Sequence, residues 1–272
     1  MHRLLSALVL TSVTACGGDD SPSAPTSTTT TTGVTVSVPG PVRMGQTAQA
    51  TGSETLSNGQ TRPITSGWQS DAPAVATVSG AGLVAGVANG RATIFVVASG
   101  RQGQQVVRVV PDYQGRWNGR LRVTSCTETG IFANTDFCDE SPIGATFVYS
   151  VSLSQTGEQM NAVVDYGPPL LFPSIAAPLR EDGTSTFNPS VSYTESGITL
   201  TVDAGFNVNS ARVGELTGTV NEVWRVPNFA GEGRLTQDIV STTRTSTTTL
   251  SGLTEQGLRR LRVVRRLASQ HR

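Results

Sequence analysis

The sequence predicts an all-β protein, a β-sandwich followed by an antiparallel meander that closes into a barrel of about eight strands. Three observations point there. Thr, Val, Ser and Gly abound while strong helix formers are scarce, a composition suited to pleated, half-buried surfaces. From Gly33 onward, short runs alternate apolar and polar residues with the period of two that a half-buried strand requires. Gly, Asn and Pro punctuate these runs at the spacing of tight turns.

The chain opens outside that pattern. Met1, His2 and Arg3 precede "LLSALVLTSV", a run of about ten mostly apolar residues, against the roughly 20 needed to span a bilayer. It fits the apolar region of a cleavable signal. "VTAC", Val13 to Cys16, resembles the lipobox of bacterial lipoproteins. In that family the peptide is cut before the cysteine, whose sulfur carries a diacylglycerol. The resemblance implies a signal peptide at residues 1–15 and a lipidated Cys16 as the first mature residue. Each buried methylene contributes about 0.8 kcal/mol, and several acyl chains hold a protein where one does not. An ordinary secretory signal with an incidental cysteine is the other reading. Gly17 follows where lipoproteins retained at the inner membrane tend to carry aspartate, so the expected location is the cell envelope, at the outer membrane. The rest of residues 16–32, with "SPSAPTSTTTTT", has no core-forming side chains and reads as a tether. Its last twelve residues extend to at most about 40 Å.

Residues 33–111 carry the sandwich pattern. "VTVSV" puts Val34, Val36 and Val38 on one face, and "RATIFVVAS" aligns Ala92, Ile94, Val96 and Ala98. "SNGQ", "VSGAG" and "VANG" mark turns. The stretch around Trp68, Val75-Ala76-Thr77-Val78, Gly82-Leu83-Val84, Gly86, Gly90 and Ala92-Thr93-Ile94 closely resembles the group 2 bacterial immunoglobulin-like domain. The resemblance implies a compact immunoglobulin-like β-sandwich, found in surface adhesins and as a spacer in exported proteins. Trp68 supplies its large core anchor.

Residues 112–250 read as the barrel. "RWNGRLRV" alternates Trp117, Leu121 and Val123 against Arg120 and Arg122. "ATFVYSVSLSQTG" presents Phe147, Tyr149, Val151 and Leu153, and "EQMNAVVDYG" returns with Met160, Ala162 and Val164. Closure into a barrel removes exposed edges. "GRW" at Gly115–Trp117 resembles the G-x-W signature of lipocalins and other calycins, in which a late-strand arginine covers the tryptophan; Arg244 is the residue in that region. Cys126 and Cys138 are an even pair in an exported chain, and an oxidising compartment allows them to join. Such a closure is worth about 3 kcal/mol in the chain-entropy description. "YGPPLLFPSIAAP", residues 166–178, reads either as an edge strand and loop packed over the barrel or as an apolar lip at its mouth.

All 20 basic residues are arginine and the formal net charge is zero, but the charge is unevenly distributed. Residues 112–250 hold eight Arg against fifteen acids, a net of −7, whereas the tail, 251–272, holds six Arg against Glu255, a net of +5. A domain-wide basic field suited to nucleic acid is missing. The 2 histidines, His2 and His271, leave a Ser-His-Asp site without a base and a histidine-ligated metal centre without ligands. The pairs Asp139–Glu140 and Glu181–Asp182 are sequence neighbours near turns, and neighbouring strand residues point to opposite faces. Hence no catalytic, cofactor or metal residues are assigned, and a non-catalytic binding, adhesion or structural module is expected. Its partners are the membrane, through the lipid, and a surface protein, glycan or small apolar ligand. A carboxylate hydrolase or a small-ligand-binding barrel is the alternative. In the tail, Leu258, Leu261, Val264 and Leu267 or Ala268 share a helical face amid Arg259, Arg262, Arg265 and Arg266. Such a helix can lie on anionic lipid, dock on the acidic barrel or fray as a terminus.

Overall fold

The computed structural model describes residues 28–167, 170–210, 212–245, 262–263 and 265–269. Cys16, the signal segment and most of the tether lie outside the described residues. The architecture is all-β, in two units. The first holds β1 (Thr31–Ser37), β2 (Val42–Arg43), β3 (Thr47–Gln49), β4 (Thr51–Leu56), β5 (Thr61–Pro63), β6 (Trp68–Ser70), β7 (Ala76–Val78), β8 (Leu83–Gly86), β9 (Gly90–Ala98) and β10 (Arg101–Val110). They form sheets ordered β1-β4-β5, β2-β10-β9-β6 and β3-β8-β7. The alternating residues Ala92, Ile94 and Val96 of β9 and Val107 and Val109 of β10 fill the core between them with Trp68. Gly82 makes room for that indole. It sits at φ +85, and a Cβ there would lie 3.0 Å from Trp68 Nε1.

The second unit comprises β11 (Gly115–Glu128), α1 (Phe137–Glu140), β12 (Thr146–Thr156), β13 (Gln159–Asp165), β14 (Ile175–Pro178), β15 (Ser185–Phe187), β16 (Ser190–Glu195), β17 (Ile198–Asn209), β18 (Thr217–Arg225) and β19 (Gly233–Thr245). The strands follow the ring order β14-β13-β12-β11-β19-β18-β17-β15, with β16 also paired to β17. First and last strands are hydrogen-bonded neighbours from Arg116↔Thr245 to Glu128↔Gly233. Two register shifts in that pair, at Asn118/Arg120 and Val123/Ser125, add the local twist that curls a sheet. β14 and β15 meet through the bridge Leu179↔Ser185 and the Arg180 N–H donating to Thr184 O at 2.8 Å, so the ring is nearly closed. Leu121, Tyr149, Val151, Met160 and Val164 are buried inside, while Arg120 and Arg122 are exposed.

Within residues 166–178 the apolar side chains divide. Leu170 and Phe172 enter the barrel core, Tyr166 meets Phe172 edge-on at 5.3 Å, and Leu171 is 55% exposed. The tail is helical at 262–263 and 265–269. Leu258, Leu261 and Val264 lie outside the residues whose side chains are described. Val263, Leu267 and Ala268 are buried, and Val263 and Leu267, four residues apart, belong to the barrel core. Among the described residues, no helix is long and apolar enough to cross a membrane.

Candidate functional site

The polar chemistry concentrates at three places, the first being the joint between sandwich and barrel. Pro111, Asp112 and Tyr113, where one unit passes to the next, are buried. The Asp112 side chain is 5% exposed and lies between two arginines from different units. Arg43 Nη1, on β2, donates to its Oδ1 at 3.2 Å. Arg244 Nη1, on β19, donates to its Oδ2 at 3.0 Å, and Arg244 Nη2 donates to the Asp112 carbonyl at 2.5 Å. Arg244 lies opposite Trp117 in the β11–β19 register, and its guanidinium carbon is 4.7 Å from the indole centroid. The Trp117 indole N–H donates to Tyr113 O at 2.7 Å. Gly115, at φ +127, lets this stack form: a Cβ there would sit 3.3 Å from Arg244 Cδ.

The joint extends sideways. Gln155 accepts the Tyr113 N–H at 2.9 Å and donates to Pro111 O at 3.0 Å. Tyr113 Oη donates to Gly183 O at 2.8 Å, and burial, with the nearby Asp182 charge, pushes this hydroxyl well above the usual tyrosine range. Arg108 of β10, its side chain 10% exposed, crosses to Glu158 at 2.7 Å and to Arg180 O at 2.6 Å. Arg91 pairs with Glu181 at 2.6 Å and holds that carboxyl below the usual range. Thus Glu181–Asp182 supplies a joint contact and a turn, since Asp182 accepts from Thr184 N–H and Oγ1. Composition alone hid Asp112: Arg43 and Arg244 lie far from it in sequence.

The second place is the barrel end around α1. Cys126 of β11 and Cys138 of α1 are disulfide-bonded, with Cα atoms 5.7 Å apart. Cys138 N–H also donates to Glu128 Oε2 at 3.0 Å. Phe137 packs edge-on against Phe132 at 5.6 Å and Trp224 at 5.4 Å. Asp136 and Glu140 then face the C-terminal helix. Arg266 pairs with Asp136 and lies 3.8 Å from Glu140, Arg262 pairs with Glu140 at 3.5 Å, and Arg265 pairs with Glu195 at 3.0 Å. Deeper inside, Glu222 is 1% exposed. Its oxygens accept from Gln237 Nε2 at 2.7 Å and Trp224 Nε1 at 2.9 Å. The period-two pattern was the available signal for this buried carboxylate, because Val220, Glu222 and Trp224 share one phase of β18.

The third place is an open cleft of about 700 Å³ at the tip of the sandwich, lined by Thr29, Thr30, Thr31, Arg62, Ser99 and Arg101 among others. Glu54 anchors it: its side chain is 6% exposed, and Arg62 meets it at 2.5 Å. Arg101 Nε donates to Thr31 O at 2.8 Å. The cleft therefore offers two guanidinium groups and several hydroxyls to solvent, where the tether joins the body.

Domains 5–6 of the S-layer protein SbsC form a solved structure similar to the chain, with 16% sequence identity and a TM-score of 0.26. The match covers 76% of this chain and 97% of that one. No curated protein matches the chain. Residues 30–110, the sandwich with Trp68 at its centre, match the family described as "Bacterial Ig-like domain (group 2)".

Proposed function

We propose that the chain is a lipid-anchored protein of the cell envelope whose two-unit body serves as a non-catalytic structural and binding module. The observation that carries this reading is the buried joint. Asp112, held by one arginine from each unit, makes sandwich and barrel a stiff body, as a surface module needs to present a face at a set distance from its anchor. The group 2 Ig-like domain at the tether end suits the same role. Much of the acidic chemistry sits in ion pairs and turns, which favours a module over a carboxylate hydrolase. The "VTAC" context supports a lipid on Cys16, and Gly17 supports the outer membrane. The tip cleft, with Arg62, Arg101 and the threonine hydroxyls, suits a polyhydroxylated partner such as a glycan. A second reading, a calycin-like barrel for a small apolar ligand, is favoured by Arg244 lying over Trp117 at one barrel end.

Mass spectrometry of membrane-extracted protein tests the anchor. We expect a diacylglycerol-bearing Cys16 at the mature N-terminus, and release of the Cys16→Ser variant from the membrane fraction. A free α-amine at another residue, or unchanged membrane partition of that variant, overturns the reading.

A further inference from the structure

The tip cleft of the sandwich is organised from behind by an acid. Glu54 of β4 is buried, and it bonds three of the side chains that line the cleft. Arg62 Nη2 donates to its Oε2 at 2.5 Å, Thr31 Oγ1 donates to the same oxygen at 3.4 Å, and Ser99 Oγ donates to Oε1 at 3.4 Å. Arg62 lies opposite Glu54 in the β4–β5 register, so strand pairing itself sets that ion pair. Burying a carboxylate is costly unless hydrogen bonds and a counter-charge hold it. Here the same bonds hold one guanidinium and two hydroxyls around a single opening.

Arg101 is held differently. It follows the Ser99-Gly100 turn between β9 and β10, and its Nε donates to Thr31 O at 2.8 Å. Among the described residues, no group takes its two Nη nitrogens. They form a planar fork that matches the two oxygens of a carboxylate. The charge count agrees: two arginines stand against Glu54, which leaves one positive charge for a ligand to match. The lining narrows the ligand further. It contains no aromatic ring, so a nucleobase finds no stacking platform. Leu56 is its one large apolar side chain, so an acyl chain finds no apolar floor. Hydroxyls and guanidinium groups suit a ring that carries hydroxyls, and a volume of about 700 Å³ lies within the range of small-ligand sites.

We propose that this cleft binds an acidic sugar, a uronate or sialate unit of a surface polysaccharide. Its carboxylate sits on the Nη fork of Arg101, and its ring hydroxyls lie among Arg62, Thr31 and Ser99. The inference rests on the glycan reading given above and adds the charge that the sugar must carry.

The test is calorimetric titration of the full chain with uronate- and sialate-bearing trisaccharides, each offered as the free acid and as its methyl ester. The ester keeps the ring hydroxyls and removes the charge. At least one free acid should bind, and its ester should bind at least about tenfold more weakly, through loss of one charge-assisted pair. Arg101→Gln should lower affinity for the acid to that of the ester and leave the ester unchanged. Arg101→Lys keeps the charge without the fork and should fall between the two. Arg101 is exposed, so these substitutions leave the sandwich core untouched. Equal binding of acid and ester overturns the inference and leaves the glycan reading standing. Binding of neither form overturns both for this cleft. A preference for the acid that survives Arg101→Gln also overturns the inference, because the charge is then read elsewhere. Vesicles of anionic phospholipid should not compete with the acid for the Cys16→Ser chain. Competition that disappears with Arg101→Gln makes this a lipid headgroup site and overturns the proposal.

Discussion

Trp117 is fixed from three directions. Neighbouring strands bury it completely, its indole N–H donates to Tyr113 O, and Arg244 covers its face. Arg244 is in turn held by Asp112, so the guanidinium serves the ring and the carboxylate together. Truncating the indole removes a large buried aromatic, and Trp117→Ala should cost about 3–5 kcal/mol. Arg244→Ala should cost about 1–2 kcal/mol, from the ring contact and the packed stem. Its smaller effect follows from Asp112 keeping Arg43 as a partner, so that no buried charge is left alone. A double-mutant cycle on the full chain, followed by urea unfolding, should find a coupling of about 0.5–2 kcal/mol. Strict additivity would mean that the stack is only a neighbourhood. The Trp117–Arg244 pairing was expected from the likeness of Gly115–Trp117 to the calycin signature, in which a late-strand arginine covers the tryptophan, together with closure of the sheet, which makes first and last strands neighbours. The role of Asp112 was not. In "VVPDYQG" it reads as a turn residue, and only closure of the ring brings Arg244 to it.

At the scale of elements, the disulfide, α1 and the C-terminal helix form one chain of dependence. The bond holds Cys138 against β11, Glu128 caps the same residue, and Phe137 locks onto Trp224. Asp136 and Glu140 flank that fixed point, so the bond sets where the acids stand. The ion pairs to the helix are part-exposed, and pairs of that kind contribute only about 0.2–1 kcal/mol each. Their joint effect depends on a rigid platform. Reduction, or Cys126→Ser with Cys138→Ser, should therefore raise the rate of tryptic cleavage after Arg265 and Arg266 several-fold. Cleavage after Arg101, in the sandwich, should not change. Equal acceleration at both places would point to global unfolding, and no acceleration at the helix would separate the disulfide from docking. The strands were readable because a period of two survives in sequence whenever one face is buried. Of the helix face, Leu267 and Ala268 are buried where a period near 3.6 placed them and Val263 is buried beside them, while Leu258, Leu261 and Val264 lie outside the described side chains.

At the scale of the whole molecule, the joint determines whether the two units behave as one. Composition and strand length mark a change of unit near Pro111. In the structure that segment is buried, and the contacts across it are charged and specific. Arg43 reaches Asp112 and Gln114, Arg108 reaches Glu158 and Arg180 O, and Arg91 and Asn89 both meet Glu181. Arg108 matters most among these, because its side chain is 10% exposed and charge-assisted hydrogen bonds in such places are worth about 1.5–3 kcal/mol. Arg91 and Glu181 are both largely exposed and add little. The intact body should consequently unfold in a single transition, although each unit has its own core. The tryptophans allow this to be read unit by unit, since Trp68 reports the sandwich and Trp117 and Trp224 report the barrel. In a Trp68→Phe chain the fluorescence transition belongs to the barrel, while calorimetry sees both units. The two midpoints should coincide in that background. Adding Arg43→Ala and Arg108→Ala removes the main crossings without touching either core, and the calorimetric trace should then split, with only one component matching the fluorescence. A trace that stays single and coincident after both substitutions would place the coupling in the apolar contacts around Val110 and Tyr113 instead of the arginines.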